Sequence, residues 1–248
     1  MRWVVKDVAP LKNALKVCNS AWSEFCLDFV EGKGLLIKVV DPPQNFALEY
    51  SFSKSFFSET EGSGKFGIDG RAVSKYFGML SGKAIIEQDE TIDAKLHIKG
   101  SNKNIGTSLI AVEERPFPNN AIQKHLARKD MCNIEMPASV FKKVIDELKT
   151  FSHVAEFDFQ QGKICFKSAS IVDEFSSQLV ESKDVSIKVP SVFKIVMNIE
   201  YALQLFKELD EKTKISIYCG DQAPFIVKFG EGAVECVMII APRIEQEL

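Results

Sequence analysis

Several absences narrow the reading before any motif does. No stretch of the chain holds the roughly 18–20 consecutive apolar residues that cross a bilayer. The opening Met1-Arg2-Trp3-Val4-Val5-Lys6-Asp7 turns charged too soon to read as a secretory leader. Neither membrane nor secretory targeting is expected. Histidine is scarce, and His97, His125 and His153 stand isolated. No two cysteines form a CxxC pair: Cys18, Cys26, Cys132, Cys165, Cys219 and Cys236 are scattered, with no histidine at metal-ligand spacing. They read as reduced thiols of an intracellular protein, four of them small hydrophobes inside apolar runs. Gly62-Ser63-Gly64-Lys65 fails as a phosphate loop, because the glycine spacing is wrong and Phe66 follows the lysine where Ser or Thr should stand. Acidic residues are plentiful but scattered. No catalytic residue, metal or cofactor is expected, and the chain does not read as an enzyme. Nor is there an excess of positive charge: 31 Lys and Arg against 34 Asp and Glu leave −3. Any contact with nucleic acid must come from a local concentration of bases.

What is present is a core-forming composition, 46% hydrophobic and 26% charged, over 248 residues, enough for one large domain or two ordinary ones. The chain also repeats itself. Shifted by 130 positions, Leu11, Lys12 and Leu15 fall on Phe141, Lys142 and Ile145. Leu27-Asp28-Phe29-Val30-Glu31-Gly32-Lys33 falls on Phe157-Asp158-Phe159-Gln160-Gln161-Gly162-Lys163. Ala72, Val73 and Tyr76 fall on Ala202, Leu203 and Phe206, Gly100 on Gly230, and Leu109-Ile110-Ala111 on Ile239-Ile240-Ala241. Separate blocks at one offset mean two copies of one domain.

Each copy has the same layout. A short strand (Trp3–Lys6; Cys132–Glu135) leads into an amphipathic helix, about Pro10–Asn19 and about Ser139–Phe151. In the second copy Phe141, Val144, Ile145, Leu148 and Phe151 fall on one helical face, with Ser139 a candidate N-cap. Two alternating runs joined by glycine turns, Cys26–Val40 and Glu156–Ser168, read as β-hairpins. A second helix follows (Arg71–Leu80; Ile199–Leu209), then more strands. Four helices are too few to cover a sheet on both sides, so the expected class is α+β with antiparallel sheets and two helices per domain. The expected division is residues 1–115, a linker at 116–130 marked by Pro116 and Pro118-Asn119-Asn120, and residues 131–248. Ile122 and Leu126 are apolar islands in that linker, either packed on a domain or used by a partner.

Over nearly its whole length the sequence resembles the proliferating-cell nuclear antigen family of DNA sliding clamps. Ile240-Ala241-Pro242-Arg243-Ile244-Glu245 resembles the family's closing Leu-Ala-Pro-Lys-Ile-Glu. Met136-Pro137-Ala138-Ser139 resembles its Met-Pro-Ser before the third helix, and Val73-Ser74-Lys75 its Met-Ser-Lys. Val39-Val40-Asp41 resembles the end of the strand carrying its Met-Asp, and Pro224-Phe225-Ile226-Val227 its Pro-Leu before the penultimate strand. The resemblance implies a DNA-clamp fold, three subunits closing into a six-domain ring with helices lining the hole. It implies a homotrimeric polymerase processivity factor that encircles double-stranded DNA without reading sequence. Its partners would be a clamp loader, DNA polymerase, flap endonuclease, ligase and similar proteins of replication and repair. It would work in the nucleus of a eukaryote and otherwise in the cytoplasm.

On that resemblance, Lys12, Lys16, Arg71, Lys75, Lys142, Lys143, Lys149 and Lys207 would meet phosphates from inward helix faces. Asp146, Gly78, Glu200, Glu208 and Asp210 depart from the family's basic pattern. Partners carrying a short aromatic-bearing motif would be held by Val40, Asp41, Ile122, Leu126, Pro224, Ile239, Ala241 and Pro242, with Arg243 and Ile244 adding main-chain contacts. Ring closure would pair about Asn104–Val112 with about Glu174–Val180 across subunits. Two alternatives remain open: a subunit of a heteromeric or checkpoint-type clamp, and a clamp-fold scaffold that does not encircle DNA.

Overall fold

Alternating burial along the strands and apolar stripes along the helices sort the chain into two units, the first with two α-helices among the described residues and the second with three. The computed structural model describes residues 1–88, 95–170 and 173–243. Ile244, expected at the partner site, lies outside them.

The first unit comprises Met1–Asp41, Leu48–Phe117 and Glu231–Cys236. The first half of the chain supplies β1 (Arg2–Val5), α1 (Ala9–Ala21), β2 (Glu24–Val30), β3 (Gly34–Val40), β4 (Phe46–Ser53), β5 (Phe57–Glu61), β6 (Gly64–Asp69), α2 (Gly70–Gly78), β7 (Ala84–Glu87), β8 (Lys95–Gly100) and β9 (Lys103–Ser108). The strand orders are β5-β1-β7-β8-β9 and β4-β3-β2-β6. In β2 the residues Phe25, Leu27 and Phe29 are buried while Cys26, Asp28 and Val30 between them are half-buried, the period of two that a sheet with one covered face demands. Trp3 is fully buried. Its ring meets Phe29 at 5.1 Å and Phe57 at 4.8 Å, both edge-on, and its indole N–H donates to the Gly62 carbonyl at 2.9 Å. Only glycine fits at 34, where a Cβ would lie 1.9 Å from the Phe52 carbonyl oxygen and φ is +139°.

The second unit comprises Pro42–Ala47, Pro118–Gly230 and Val237–Leu248. After α3 (Asn119–Leu126) come β10 (Cys132–Pro137), α4 (Ala138–Lys149), β11 (Val154–Gln160), β12 (Lys163–Ala169), β13 (Glu174–Val180), β14 (Ser186–Lys188), β15 (Phe193–Asn198), α5 (Glu200–Glu208), β16 (Lys214–Cys219), β17 (Phe225–Glu231) and β18 (Val234–Ile240). The orders are β14-β10-β16-β17-β18 and β13-β12-β11-β15. Strand for strand, they repeat those of the first half. Phe141 of α4 anchors this core, 5.1 Å from Phe206 of α5 and 5.9 Å from Phe225 of β17.

The fold is α+β with antiparallel sheets, and the 130-residue offset maps element onto element: α2 at 70–78 onto α5 at 200–208, β2 at 24–30 onto β11 at 154–160. The hairpin turns repeat too, with Gly32 at φ +77° and Gly162 at φ +71°. Two expectations need correction. Five helices are present among the described residues, not four, because the linker folds into α3 around buried Ile122. Ser139 is not an N-cap: α4 begins at Ala138, and the amides of Ala138 and Ser139 donate to the carbonyls of Thr213 (2.8 Å) and Glu211 (3.1 Å). Backbone from the loop between α5 and β16 satisfies the orphan amides that a capping side chain would otherwise take.

On the sheet formed by β1 and its neighbours, Arg2 bridges Glu59 and, at 3.2 Å, Glu87, which also holds Lys99. The hydrogen bond from Lys99 comes first, ahead of Arg2, in holding the Glu87 carboxyl below its usual range. A depressed carboxyl stabilises the fold above its unfolded pKa, near 4.5, and loses that contribution as pH falls through the lower folded value. Glu87→Gln should therefore flatten stability between pH 5 and pH 3 by no more than about 1 kcal/mol, since water screens the pair. Urea titrations across that range check it; an acid limb unchanged by the substitution would refute the assignment.

Candidate nucleic-acid interface and partner site

The basic residues singled out from sequence lie on the helices, on the sides their apolar residues leave free. Helix α1 buries Leu11, Ala14, Leu15, Val17 and Cys18, which leaves Lys16 on its exposed side. Helix α2 is capped by Asp69, whose carboxylate accepts from the amides of Arg71 (2.9 Å) and Ala72 (3.4 Å). It buries Val73 and Phe77, and so presents Arg71 and Lys75 one turn apart and exposed. Lys12 differs from its neighbours: its ammonium donates to the Leu80 carbonyl just past the end of α2, tying the two helices together. In α4, Lys143 and Lys149 are exposed and Lys142 half-buried. Lys142 and Lys143 share a shallow surface with Asp146, Glu147, Thr150 and Glu211. In α5, Lys207 is exposed beside Glu208, and Glu200 is exposed at the start of the helix. The basic character is concentrated on α1 and α2, while α4 and α5 carry mixed charge. Among the described residues no group of three His, Cys, Asp or Glu is placed to hold a metal ion.

The expected partner-site residues fall in both units. In the first, Val40 closes β3 half-buried and Asp41 is buried at 3% exposure. In the second, Ile122 is buried at 5% and Leu126 half-buried on α3. Pro224 precedes β17 half-buried, Ile239 is buried in β18, and Ala241 and Pro242 follow it half-buried. The Ala241 amide donates to the Asn45 carbonyl (2.8 Å) and the Arg243 amide to the Val196 carbonyl (2.7 Å), which fixes the path of the chain after β18.

Sequence reasoning missed how the linker is held. In the second unit the Arg128 guanidinium grips Asp130 at 3.0 and 2.5 Å and reaches the Asp221 carbonyl at 3.1 Å. That hydrogen bond holds the Asp130 carboxyl below the usual range. Burial, helped by Arg128, pushes the His125 imidazole down. The signal was available as a basic-acidic pair two residues apart, but such pairs are common on any surface. In the first unit Val112–Phe117 lines a cleft together with residues of β2 and β3. Lys65 pairs with Glu114, Lys38 lies 5.6 Å from the Phe117 ring, and Arg115 lies 5.7 Å from the Trp22 ring. The cleft has a volume of about 450 Å³ and is lined by Cys26, Asp28, Leu36 and Val40 among others. Burial first, then Glu114, pushes the Cys26 thiol up.

No family model and no curated protein sequence matches this chain. Solved structures do. A crystal structure of PCNA from Thermococcus kodakaraensis is similar to it with a TM-score of 0.83, covering 98% of this chain and 99% of that one, at 16% sequence identity. Coverage of that extent takes in both halves and every element of each, so the chain has the PCNA fold.

Proposed function

We propose that this protein is a DNA sliding clamp, a ring-forming processivity factor that encircles duplex DNA and tethers replication and repair proteins to it. One observation carries the reading. Within the first unit the Ser53 amide at the end of β4 donates to the Ala233 carbonyl just before β18 (2.9 Å), and within the second the Ala241 amide just after β18 donates to the Asn45 carbonyl just before β4, so both strands find partners inside the chain. Their counterparts in the repeat are β13 and β9, and among the described residues each of these ends its sheet. A repeat that pairs once within the chain and leaves the matching edges open is built to pair again with a second copy, and head-to-tail pairing that closes gives a ring. Three copies of two repeats make six domains. On this reading residues 1–115 and 131–248 are the clamp domains and 116–130 the connector.

The chemistry is electrostatic. Lys16, Arg71, Lys75, Lys142, Lys143, Lys149 and Lys207 meet phosphates loosely enough for sliding, and Lys12 chiefly braces α1 on α2. Partners such as a polymerase, flap endonuclease or ligase dock beside the connector through Val40, Asp41, Ile122, Leu126, Pro224, Ile239, Ala241, Pro242, Arg243 and Ile244. The protein would act inside the cell, in the nucleus of a eukaryote. The mixed charge of α4 and α5 favours a second reading, one arm of a heteromeric ring whose other subunits supply more basic helices.

The test is retention on DNA after loading by a clamp loader. The protein should stay on nicked circular duplex and run off the same duplex once it is linearised. Equal loss from both would rule out encirclement. A light-scattering mass near three times 27.8 kDa supports the homotrimer, and a strict monomer favours the heteromeric reading.

A further inference from the structure

We propose that Cys132 and Cys219 form a peroxide-operated disulfide that locks β10 to β16 at the foot of the connector. The two residues are direct register partners on adjacent antiparallel strands. Their sulfurs are in contact at 3.0 Å, and both side chains are fully buried. Directly opposed residues in such a ladder have Cα atoms about 4.5 or 5.5 Å apart, both within the roughly 4.4–6.8 Å that a disulfide spans. Closure therefore needs about 1 Å of movement by the sulfurs and none by the strands.

The position gives the bond a consequence. Cys132 follows Asp130 by two residues, and Cys219 precedes Asp221 by two. Arg128 holds both, the Asp130 carboxylate and the Asp221 carbonyl. A disulfide would clamp the two backbone segments between which that arginine works. Oxidation is expected to be slow, because both sulfurs are buried away from peroxide and burial pushes the Cys219 thiol up.

The step balances with hydrogen peroxide as oxidant. One sulfur, losing its proton, attacks the O–O bond, becoming a sulfenic acid and releasing one water. The second thiol attacks that sulfur, loses its proton, and expels the hydroxyl as the second water. Two thiols lose two electrons and two protons in all, and peroxide takes them.

The experiment treats the folded protein with hydrogen peroxide for hours and maps its peptides without reduction. The expected result is a loss of two hydrogens in one linked pair, Cys132 with Cys219. The melting midpoint should rise by roughly 10 °C, since the bond closes a long loop, and dithiothreitol should reverse the rise. Amide exchange around Arg128–Cys132 and Cys219–Pro224 should slow in the oxidised form. Recovery of Cys132 and Cys219 as thiols at the end of the treatment, with the protein still folded and further hours of peroxide adding no link, would overturn the proposal. So would sulfinic acid on either residue without a link. Cys219→Ser should abolish the two-hydrogen loss. Should that variant not fold, the map of the natural protein decides alone.

Discussion

A proline at one of two adjacent positions in β13, Ser177→Pro or Gln178→Pro, is expected to turn the proposed ring into a folded monomer. Successive residues of a strand point their N–H groups to opposite sides, so one of the two faces β12 and the other faces outward. Ser177 pairs with Phe166 and Gln178 with Cys165 across the β12 ladder, and the alternation assigns one of them to the open edge. Proline is tolerated on an edge whose N–H looks away from the sheet. There it removes a donor that only a second copy could use. The outward variant should keep the natural melting midpoint to within a few degrees while its mass in solution falls from about three times 27.8 kDa to a single chain. The inward variant should lose stability instead, because it breaks the ladder to β12. If both variants keep the natural mass, β13 is not the assembly edge.

Reversing charge on the first helix pair should produce the other large effect. With Lys16, Arg71 and Lys75 all replaced by Glu, binding to duplex DNA at about 0.1 M salt is expected to weaken at least tenfold. The slope of log K against log salt should become shallower by roughly 3, about 0.9 for each phosphate that is no longer neutralised. These three side chains are exposed, so the fold and the mass in solution should not change. Lys12→Ala makes the contrast. Its ammonium is held by the Leu80 carbonyl, so the substitution should cost stability while leaving the salt slope almost unaltered. A triple variant with the natural slope would remove α1 and α2 from the interface.

Much of this was legible in the sequence, for a physical reason. Burial on one face writes a period into each element, and a repeat writes that period twice. Helices α2 and α5 and the hairpins around Gly32 and Gly162 could be read because each copy corroborated the other. What stayed hidden has no counterpart in the other copy or depends on distant backbone. Helix α3 is eight residues with few apolar positions, too short to declare itself by propensity and stabilised by the burial of Ile122. The start of α4 depends on the carbonyls of Glu211 and Thr213, more than sixty residues on. Spacing showed that Lys12 was a base on a helix, but it could not show that the base was already in use. The partner-site residues were chosen through a likeness of motifs. The structure adds that Arg128 fastens the end of the connector, which no motif marked.

Each unit borrows a segment from the other half of the sequence, Glu231–Cys236 in the first and Pro42–Ala47 in the second. This sets an order on biosynthesis. When the first hundred residues leave the ribosome, the Glu231–Cys236 segment that completes the first unit beside Ser53 is more than a hundred residues from being made, many seconds at ordinary rates of translation. The nascent first half waits with that edge bare, in a crowd of other bare edges on the same polysome. Chaperone capture should peak during that interval and end with the closing residues, and a chain terminated early would be left permanently adhesive.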